Sequence, residues 1–276
     1  MTLHGILKSF GATAGTYLAI ADAPRSDSRD RGFTPELAVL PFFVPYYSTE
    51  PSDLAVFAAA RDYHKYAEMI ADEAGKYVAE RYGEVFFRLF SDVSPFAEVR
   101  LSAMCGLGVI GDHRLLITGD NSSFVMLGEI VAPERVIVSE GYEKSDGIIR
   151  YCEHCGSCAA ACPTGAIRGD GECLSAITQK KSALTPEEEM AIRENKSPWG
   201  CDRCAFACPH TKKAAESGTL RTNIPYFTEK RLTKVTADSV AAMTDEEYRS
   251  YPFSWRKREV LMRNLRLIEN GKGDER

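Results

Sequence analysis

The spacing of apolar and polar positions predicts a chain that mixes helices with strands. Apolar residues three to four positions apart, among many Ala, Glu and Lys, predict a long helix from Ser52 to about Tyr82. Apolar runs predict strands over 84–90, 113–118 and 122–131, the last two joined by the turn "GDN". The segment 40–47 is also extended in this interpretation, and its prolines are expected to break it.

Two further helices are indicated by their end signals. A helix within 91–108 is expected to begin with Ser94 as N-cap and Pro95 in the first turn, and an amphipathic helix is expected over 254–270. The predicted fold class is therefore α+β. It comprises an α+β domain over 1–148, a metal-binding domain over 149–215 and a basic helical segment over 216–276.

Composition places the chain among ordinary soluble proteins. Its 276 residues, 44% apolar and 26% charged, are enough to bury a core without disulfide staples. The apolar stretches are too short for a signal peptide or a membrane span, so no membrane partner is expected. A cytoplasmic location is expected, where thiols stay reduced and clustered cysteines indicate metal binding or catalysis.

The net charge of −5 conceals an asymmetry along the chain. Residues 201–276 contain 15 Lys and Arg against 11 Asp and Glu, whereas residues 1–200 contain 19 against 28. The basic end could face a polyanion, and a solvated surface is the alternative explanation.

The strongest chemical signal is the spacing of the cysteines. The chain contains C-x2-C-x2-C-x3-C-P from residue 152 and C-x2-C-x3-C-P from residue 201. The first pattern is the bacterial iron–sulfur run, in which the fourth cysteine ligates the other cluster. That rule assigns the first [4Fe-4S] cluster to Cys152, Cys155, Cys158 and Cys208.

The same rule leaves the second cluster with three cysteines and one missing ligand. We assign the missing ligand to Cys173, the remaining cysteine nearby, which completes the set Cys162, Cys173, Cys201 and Cys204. Two structural zinc sites are the alternative, although this spacing is not that of a zinc ribbon. The ninth cysteine, Cys105, is expected to be a small core residue.

Beyond the cysteines, the chain resembles the epoxyqueuosine reductase family and, more distantly, reductive dehalogenases. The resemblance rests on "ARDYHK", the segment from Phe90 to Ile130, "CGSCAAACPTGAI", "GCDRCAFACPH" and "WRKREVLMRN". It implies a base-off cobalamin held in a nitroreductase-like α/β sandwich, followed by a ferredoxin-like domain with two [4Fe-4S] clusters. It also implies an external low-potential electron donor of flavodoxin or ferredoxin type, and reduction of epoxyqueuosine in tRNA.

The resemblance also suggests roles for individual residues. Asp92 is the expected proton donor and cobalamin contact, with a plain turn residue as the alternative. Tyr63 and His64 match a second family motif, with an ordinary helix surface as the alternative. The residues expected to line the corrin are Ala97, Glu98, Val99, Leu115 and Thr118, together with Ser175 and Asp202 beside second-cluster ligands.

Two positions depart from the family pattern. Asp112 replaces the usual Lys of the "G-K-[NH]" step, and Val99 stands where the family usually has Arg. An acidic group cannot reproduce the donor hydrogen bonds of a lysine. An electron-transfer or corrinoid-handling protein without substrate chemistry is therefore kept as the second hypothesis.

Overall fold

The computed structural model describes residues 1–27 and 31–271, which form two compact units. The first unit comprises Met1–Pro45 and His64–His154, and the second comprises Tyr46–Tyr63 and Cys155–Arg276. The division into domains at residues 148 and 215 stays a prediction. Among the described residues no helix is long and apolar enough to cross a membrane.

The first unit is built on an antiparallel sheet. Its strands are β1 (Thr13–Ala14), β2 (Leu18–Ala19), β3 (Leu37–Pro45), β4 (Arg88–Phe90) and β7 (Val125–Pro133), and a separate pair is formed by β5 (Val109–Ile110) and β6 (Leu116–Ile117). The order is β1-β3-β7-β4, and β2 also pairs with β3. Its helices are α1 (Leu3–Ser9), α3 (Tyr63–Tyr82), α4 (Glu98–Met104) and α5 (Glu134–Ser139). Helix α4 packs on β3 and β7, where Leu37, Val131 and Leu101 form part of one apolar core.

The second unit is helical among its described residues. Its helices are α2 (Val56–Ala59), α6 (Ser157–Ala161), α7 (Leu174–Thr178), α8 (Pro186–Asn195), α9 (Arg203–Ala207), α10 (Pro209–Glu216), α11 (Pro225–Thr228), α12 (Ala237–Ala242), α13 (Asp245–Tyr248) and α14 (Arg258–Gly271), with a 3₁₀ turn at Pro252–Trp255. Helix α14 packs against α7, α8 and α12. The fully buried Trp199 and Phe253 lie in the largest apolar cluster described for this unit.

The predicted helix from Ser52 to Tyr82 is wrong in one respect, because the chain breaks between α2 and α3. Ala60 is extended, with φ −88° and ψ 172°. The Ala59 carbonyl accepts the N–H of Leu232, and the Asp62 N–H donates to the Ser250 carbonyl. Distant segments therefore take backbone groups that a continuous helix would have used.

The predicted break of the 40–47 segment at its prolines is also wrong. Strand β3 runs through Pro41, whose carbonyl accepts the N–H of Gly15. The N–H and C=O of one residue in an antiparallel ladder point to the same side, so the missing donor of Pro41 faces the space between β1 and β2. No ladder hydrogen bond is lost there.

Two other elements differ from the sequence-based expectation. Helix α4 begins at Glu98 rather than beside Pro95, because residues 95–97 bond to residues 24–26 in an extended conformation. The turn at "GDN" forms, and Thr118 and Ser122 make one antiparallel bridge across it, but the strands on either side pair elsewhere. β6 pairs with β5, and β7 pairs with β3 and β4.

Candidate functional site

Two short helices present the cysteines in equivalent ways. α6 and α9 pack against each other, and each ends at a cysteine with extended backbone, Cys162 and Cys208. A proline follows each of these cysteines, and proline disfavours a helical conformation in the residue before it. Cys158 and Cys204 lie within the helices. The C-x3-C-P spacing therefore produces the same one-turn structure twice.

A glycine in the left-handed conformation precedes each of these turns. Gly156 (φ 76°) is the N-cap of α6, and Gly200 (φ 76°) lies directly before Cys201. A Cβ on Gly200 would come within 2.5 Å of the Cβ of Ala55. Both the conformation and the close packing thus require glycine at position 200.

The sulfur of Cys162 lies in a pocket of backbone donors. Burial raises the pKa of this thiol, but N–H groups of Ile167, Thr164 and Ala166, with the Thr164 hydroxyl, outweigh that effect and lower it. Hydrogen bonds to a thiolate favour the charged form that ligates metal. The backbone around Cys162 therefore favours the thiolate form, which is the form that binds metal.

Cys173, Cys201 and Cys204 lie within electrostatic reach of one another. Burial raises the pKa of Cys201, and burial followed by repulsion from the Cys201 and Cys173 thiolates raises the pKa of Cys204 to about 12. All nine cysteines are free thiols. Two half-buried thiolates and one exposed thiolate in one place need a positive charge, and iron would supply it.

Cys105 behaves differently from the other cysteines. It is 1% exposed and packs in the apolar core with Leu101 and Phe96. Burial raises the pKa of its thiol to about 12, so it remains protonated at neutral pH. The structure confirms it as a core residue.

Around Cys152 the first unit gathers two more polar groups. The Cys152 N–H donates to the Ile110 carbonyl at 3.0 Å. Nδ1 of His154 lies 2.6 Å from Oδ1 of Asp112, and these two side chains and the Cys152 sulfur offer ligand atoms within 4.8 Å of one another. Asp112, which replaces the family's Lys, is therefore paired with a histidine.

A second group of polar residues surrounds Asp92. Its backbone has φ 62°, a left-handed conformation that is uncommon outside glycine. The Asp92 N–H donates to Oε1 of Glu98 at 2.8 Å, and its Oδ2 lies 3.2 Å from Nε2 of His64. Its side chain is 59% exposed. The fold thus presents this carboxylate at the surface of the unit, on a left-handed backbone.

One half-buried and one fully buried carboxyl group, those of Glu98 and Glu129, lie near Asp92. Burial raises the pKa of Glu98, and burial followed by repulsion from Glu98 raises the pKa of Glu129 further. Glu129 is fully buried on β7, and within the described part of the chain its carboxylate oxygens have no partner at ordinary hydrogen-bond geometry; the nearby Ser94 hydroxyl offsets only part of the shift. Both groups therefore favour the protonated form.

Sequence analysis missed Glu129. The available signal was a single charged residue inside the apolar strand "VMLGEIVAP". A charge in such a strand is expected to be paired or neutralised when it is buried.

A cavity of about 240 Å³ adjoins the Asp92 loop. Its lining comes from one face of α3 and from residues 89–91 and 93, and it includes His64, Glu68, Ser91 and Val93. The structure thus brings His64 and Asp92 together beside an open space. Tyr63 packs its ring edge-on against Phe57, with the centroids 6.4 Å apart.

The other residues expected to line a corrin lie at several places in the first unit. Ala97 is the N-cap of α4 and donates its N–H to Pro24. Val99 packs on an apolar cluster, Leu115 is 39% exposed, and the buried Thr118 donates to the Ser122 carbonyl.

Ser175 and Asp202 lie in the second unit. The Ser175 hydroxyl accepts a hydrogen bond from the Gln179 side chain at 3.3 Å. Oδ2 of Asp202 accepts the Val56 N–H at 2.7 Å, and burial raises the pKa of this carboxyl to about 6.

Comparison with known protein families supports the class of protein that the cysteines define. Residues 151–211 match the family model described as a 4Fe-4S double cluster binding domain. This range contains all eight cysteines assigned above to clusters. Residues 151–211 thus have the sequence of a double-cluster iron–sulfur domain.

Individual relatives narrow the class. The chain is 31% identical to an epoxyqueuosine reductase of Aliivibrio fischeri, over 57% of this chain and 42% of that protein. It is 29% identical to the epoxyqueuosine reductase of Gloeobacter violaceus, over 79% of this chain and 69% of that protein. The aligned part thus spans only about two fifths of the first relative's length.

Solved structures show the same fold. A crystal structure of selenomethionine-labelled epoxyqueuosine reductase superposes with a TM-score of 0.77 at 18% identity, covering 99% of this chain and 81% of that one. An epoxyqueuosine reductase with an epoxyqueuosine-modified tRNA-Tyr stem loop gives 0.71 at 18% identity, covering 96% and 79%. By sequence and by fold, the protein resembles the epoxyqueuosine reductases.

Proposed function

We propose that the protein is a cobalamin- and [4Fe-4S]-dependent reductase of the epoxyqueuosine reductase type, acting on epoxyqueuosine in tRNA or on a related substrate. Its relatives bear that name, and one structure of the same fold holds a modified tRNA stem loop. The single observation that carries the proposal is the Asp92 loop. A carboxylate beside His64 and next to a cavity, on a left-handed backbone whose N–H donates to Glu98, is the arrangement expected of a proton donor.

Two clusters are proposed with interleaved ligands. Cys152, Cys155, Cys158 and Cys208 would hold the first, and Cys162, Cys173, Cys201 and Cys204 would hold the second. The packing of α6 on α9 and the electrostatic proximity of Cys173, Cys201 and Cys204 support this assignment. Thiolates are the ligands that such clusters require.

Cobalamin is proposed to bind the first unit, as a nitroreductase-like sandwich over 1–148. The proposed lining fits a corrinoid in its chemistry, because it combines apolar side chains such as Val99 and Leu115 with polar ones at Asp92 and Glu98. Asp92, Ala97, Glu98, Val99, Leu115 and Thr118, together with Ser175 and Asp202, would line it. When bound, the corrinoid would supply the low-valent metal that reduces the carbon–oxygen bond.

The proposed acid chemistry belongs to this chain's own residues. Asp92 would donate the proton from its carboxyl, and His64 at 3.2 Å would orient that carboxyl. Glu98 and Glu129 favour the protonated form, so they would keep the charge near Asp92 low. Tyr63, next to His64 in the same motif, would contact substrate.

The proposal includes an external donor and a compartment. A low-potential flavodoxin or ferredoxin would deliver electrons to the clusters, and the exposed Cys155 and Cys173 give one ligand of each proposed set a surface position. A cytoplasmic location fits free thiols and a tRNA substrate.

Anaerobic purification followed by reconstitution with cob(II)alamin tests the proposal. We expect cubane absorption, a base-off cobalt EPR signal, and reduction of an epoxyqueuosine-containing anticodon stem loop when a chemical reductant is added. Intact clusters without corrinoid binding would instead favour the electron-transfer hypothesis. Bound corrinoid with no turnover would point to another substrate.

A further inference from the structure

The motif "WRKREVLMRN" at residues 255–264 is not used by the proposed ligand sets or by the acid group. Most of it forms the start of α14. Three of its polar side chains, those of Arg256, Arg263 and Asn264, donate hydrogen bonds to the backbone of residues 178–182. That segment follows α7, and the proposed ligand Cys173 is the N-cap of α7.

Asn264 makes the central contacts. It is completely buried, and its Nδ2 donates to the carbonyls of Thr178 at 2.6 Å and Pro198 at 2.9 Å. Pro198 lies three residues before Cys201. One amide group therefore joins the segment after Cys173 to the segment before Cys201.

Thr178 extends this connection toward the cysteines. Its Oγ1 accepts the N–H of Gly200 at 3.0 Å and donates to the Ser175 carbonyl at 2.8 Å. Gly200 directly precedes Cys201, and Ser175 lies two residues after Cys173. The hydroxyl thus ties the two ligand-bearing segments together directly.

Two neighbouring arginines hold the same segment from the side. Nε of Arg256 donates to the Gln179 carbonyl at 2.9 Å, and Arg263 donates to the Ser182 carbonyl at 3.0 Å.

An apolar cluster lies beneath these hydrogen bonds. Leu174, Ile177 and Ile192 form its buried centre, and Cys201, Leu267 and Ile268 pack against it. Helix α14 thus contacts the Cys201 region by packing as well as by hydrogen bonds.

We propose that Asn264, acting with Thr178, is a positioning residue for the second [4Fe-4S] cluster, holding Cys173 in place relative to Cys201 and Cys204. This inference rests on the proposed ligand set. Cys162 is aligned by its own turn, and Cys201 and Cys204 belong to one local turn, whereas Cys173 lies far from them in sequence. Only tertiary contacts can hold such a ligand in place, because closing the intervening loop costs conformational entropy.

The test compares Asn264→Ala with Arg258→Ala on the same helix. Arg258 donates to the carbonyls of Val240 and Met243, which belong to α12 and its C-cap rather than to the cysteine segments. Iron per chain and the EPR spectrum of the reduced protein are measured on both variants and on wild type. We expect Asn264→Ala to fall from about eight irons to about four, with one of two cluster signals lost, and Arg258→Ala to keep both.

Asn264→Ala leaves two buried carbonyls without partners, and such a change can prevent folding. Thr178→Val is the second variant, since it keeps the side-chain shape and removes only the hydroxyl. We expect it to shift the midpoint potential or EPR shape of one cluster and to leave the other unchanged. The inference would be overturned if Thr178→Val leaves both clusters unaltered. It would also be overturned if Asn264→Ala keeps about eight irons and unchanged EPR signals.

The wild-type measurement separates this inference from the proposal on which it depends. Wild-type protein that never reaches about eight irons would contradict the two-cluster ligand set itself. A different result would contradict the positioning role: wild type holds eight irons, but Asn264→Ala and Arg258→Ala lose both clusters to the same extent. Helix α14 would then have a general role in folding.

Discussion

The cysteine region of the second unit and the acidic group of the first unit face the same physical problem in different ways. Cys173, Cys201 and Cys204 place like charges near one another, as do Glu98 and Glu129. In both regions burial and repulsion raise pKa values. The thiols retain the spacing of metal ligands, whereas the carboxyl of Glu98 is influenced by the histidine at position 64.

The two regions differ in how their negative charge is neutralised. Proteins balance clustered thiolates with metal and clustered carboxylates with protons. Iron chemistry is thus indicated in the second unit, and proton chemistry in the first. Substituting one group at a time shows whether iron binding or protonation depends on it.

The largest effect is expected from Cys173→Ala. The second cluster would keep three thiolates, so we expect loss or conversion of that cluster alone and a fall from about eight irons toward four. Iron analysis and EPR of the reduced protein measure this. Cys105→Ser is the matched control and should keep all of its iron. An unchanged spectrum in Cys173→Ala would remove Cys173 from the ligand set.

Asp92→Asn tests the proton donor. Asparagine tolerates the left-handed conformation of position 92 but has no acidic proton. General acid catalysis contributes about 10²- to 10⁴-fold, so turnover of the epoxyqueuosine stem loop should fall by that factor with normal iron and corrinoid content. The exposed Asp22→Asn serves as control. If Asp92→Asn keeps nearly full turnover, the acid is another residue, with His64 and Tyr63 next to be tested.

Glu129→Gln should change how stability depends on pH. Because the pKa of Glu129 in the fold is raised above its ordinary value of 4.5, the native state binds more protons than the unfolded state as pH rises past that value. Wild-type stability therefore decreases with rising pH until the folded-state pKa is passed. In the glutamine variant, the decrease of the free energy of unfolding with pH should be weaker by up to about 1.4 kcal/mol per pH unit.

Denaturant unfolding of Glu129→Gln between about pH 5 and pH 8 measures the effect. Glu98 and Glu129 repel each other, so the change in slope reports on this pair of carboxyls. Glu143→Gln, at an exposed position, should follow the wild-type curve. Identical slopes in wild type and Glu129→Gln would show that Glu129 is not held in its protonated form.

The smallest effect is expected from Asp112→Asn. The pair of Asp112 with His154 is partly exposed, and such pairs contribute about 0.2–1 kcal/mol to the free energy of unfolding. We expect the free energy of unfolding to decrease by an amount within that range and the iron content to stay unchanged. Loss of the first cluster in this variant would show that Asp112 supports Cys152 rather than replacing a cobalamin contact.

The spacing of the cysteines alone predicts the iron–sulfur chemistry. The C-x2-C and C-x3-C-P spacings are local, and each sets one helical turn with a proline stop, so they can be identified without the fold. The double-cluster family match over 151–211 confirms this class. The α+β class and the apolar strands around Phe42 and Ile130 were also evident, because alternation and apolar runs depend only on nearby residues.

Which distant groups come into contact depends on the tertiary structure and cannot be predicted from local sequence. Ala60 interrupts a helical pattern because Leu232 and Ser250 bond to its neighbours, and Pro41 stays in a strand because no partner faces its missing donor. Glu129 reaches the Asp92 group through strand pairing, and Asn264 reaches Thr178 through helix packing. Contacts between residues far apart in sequence have no local pattern, so the acidic group and the support of Cys173 emerge only when the chain is folded.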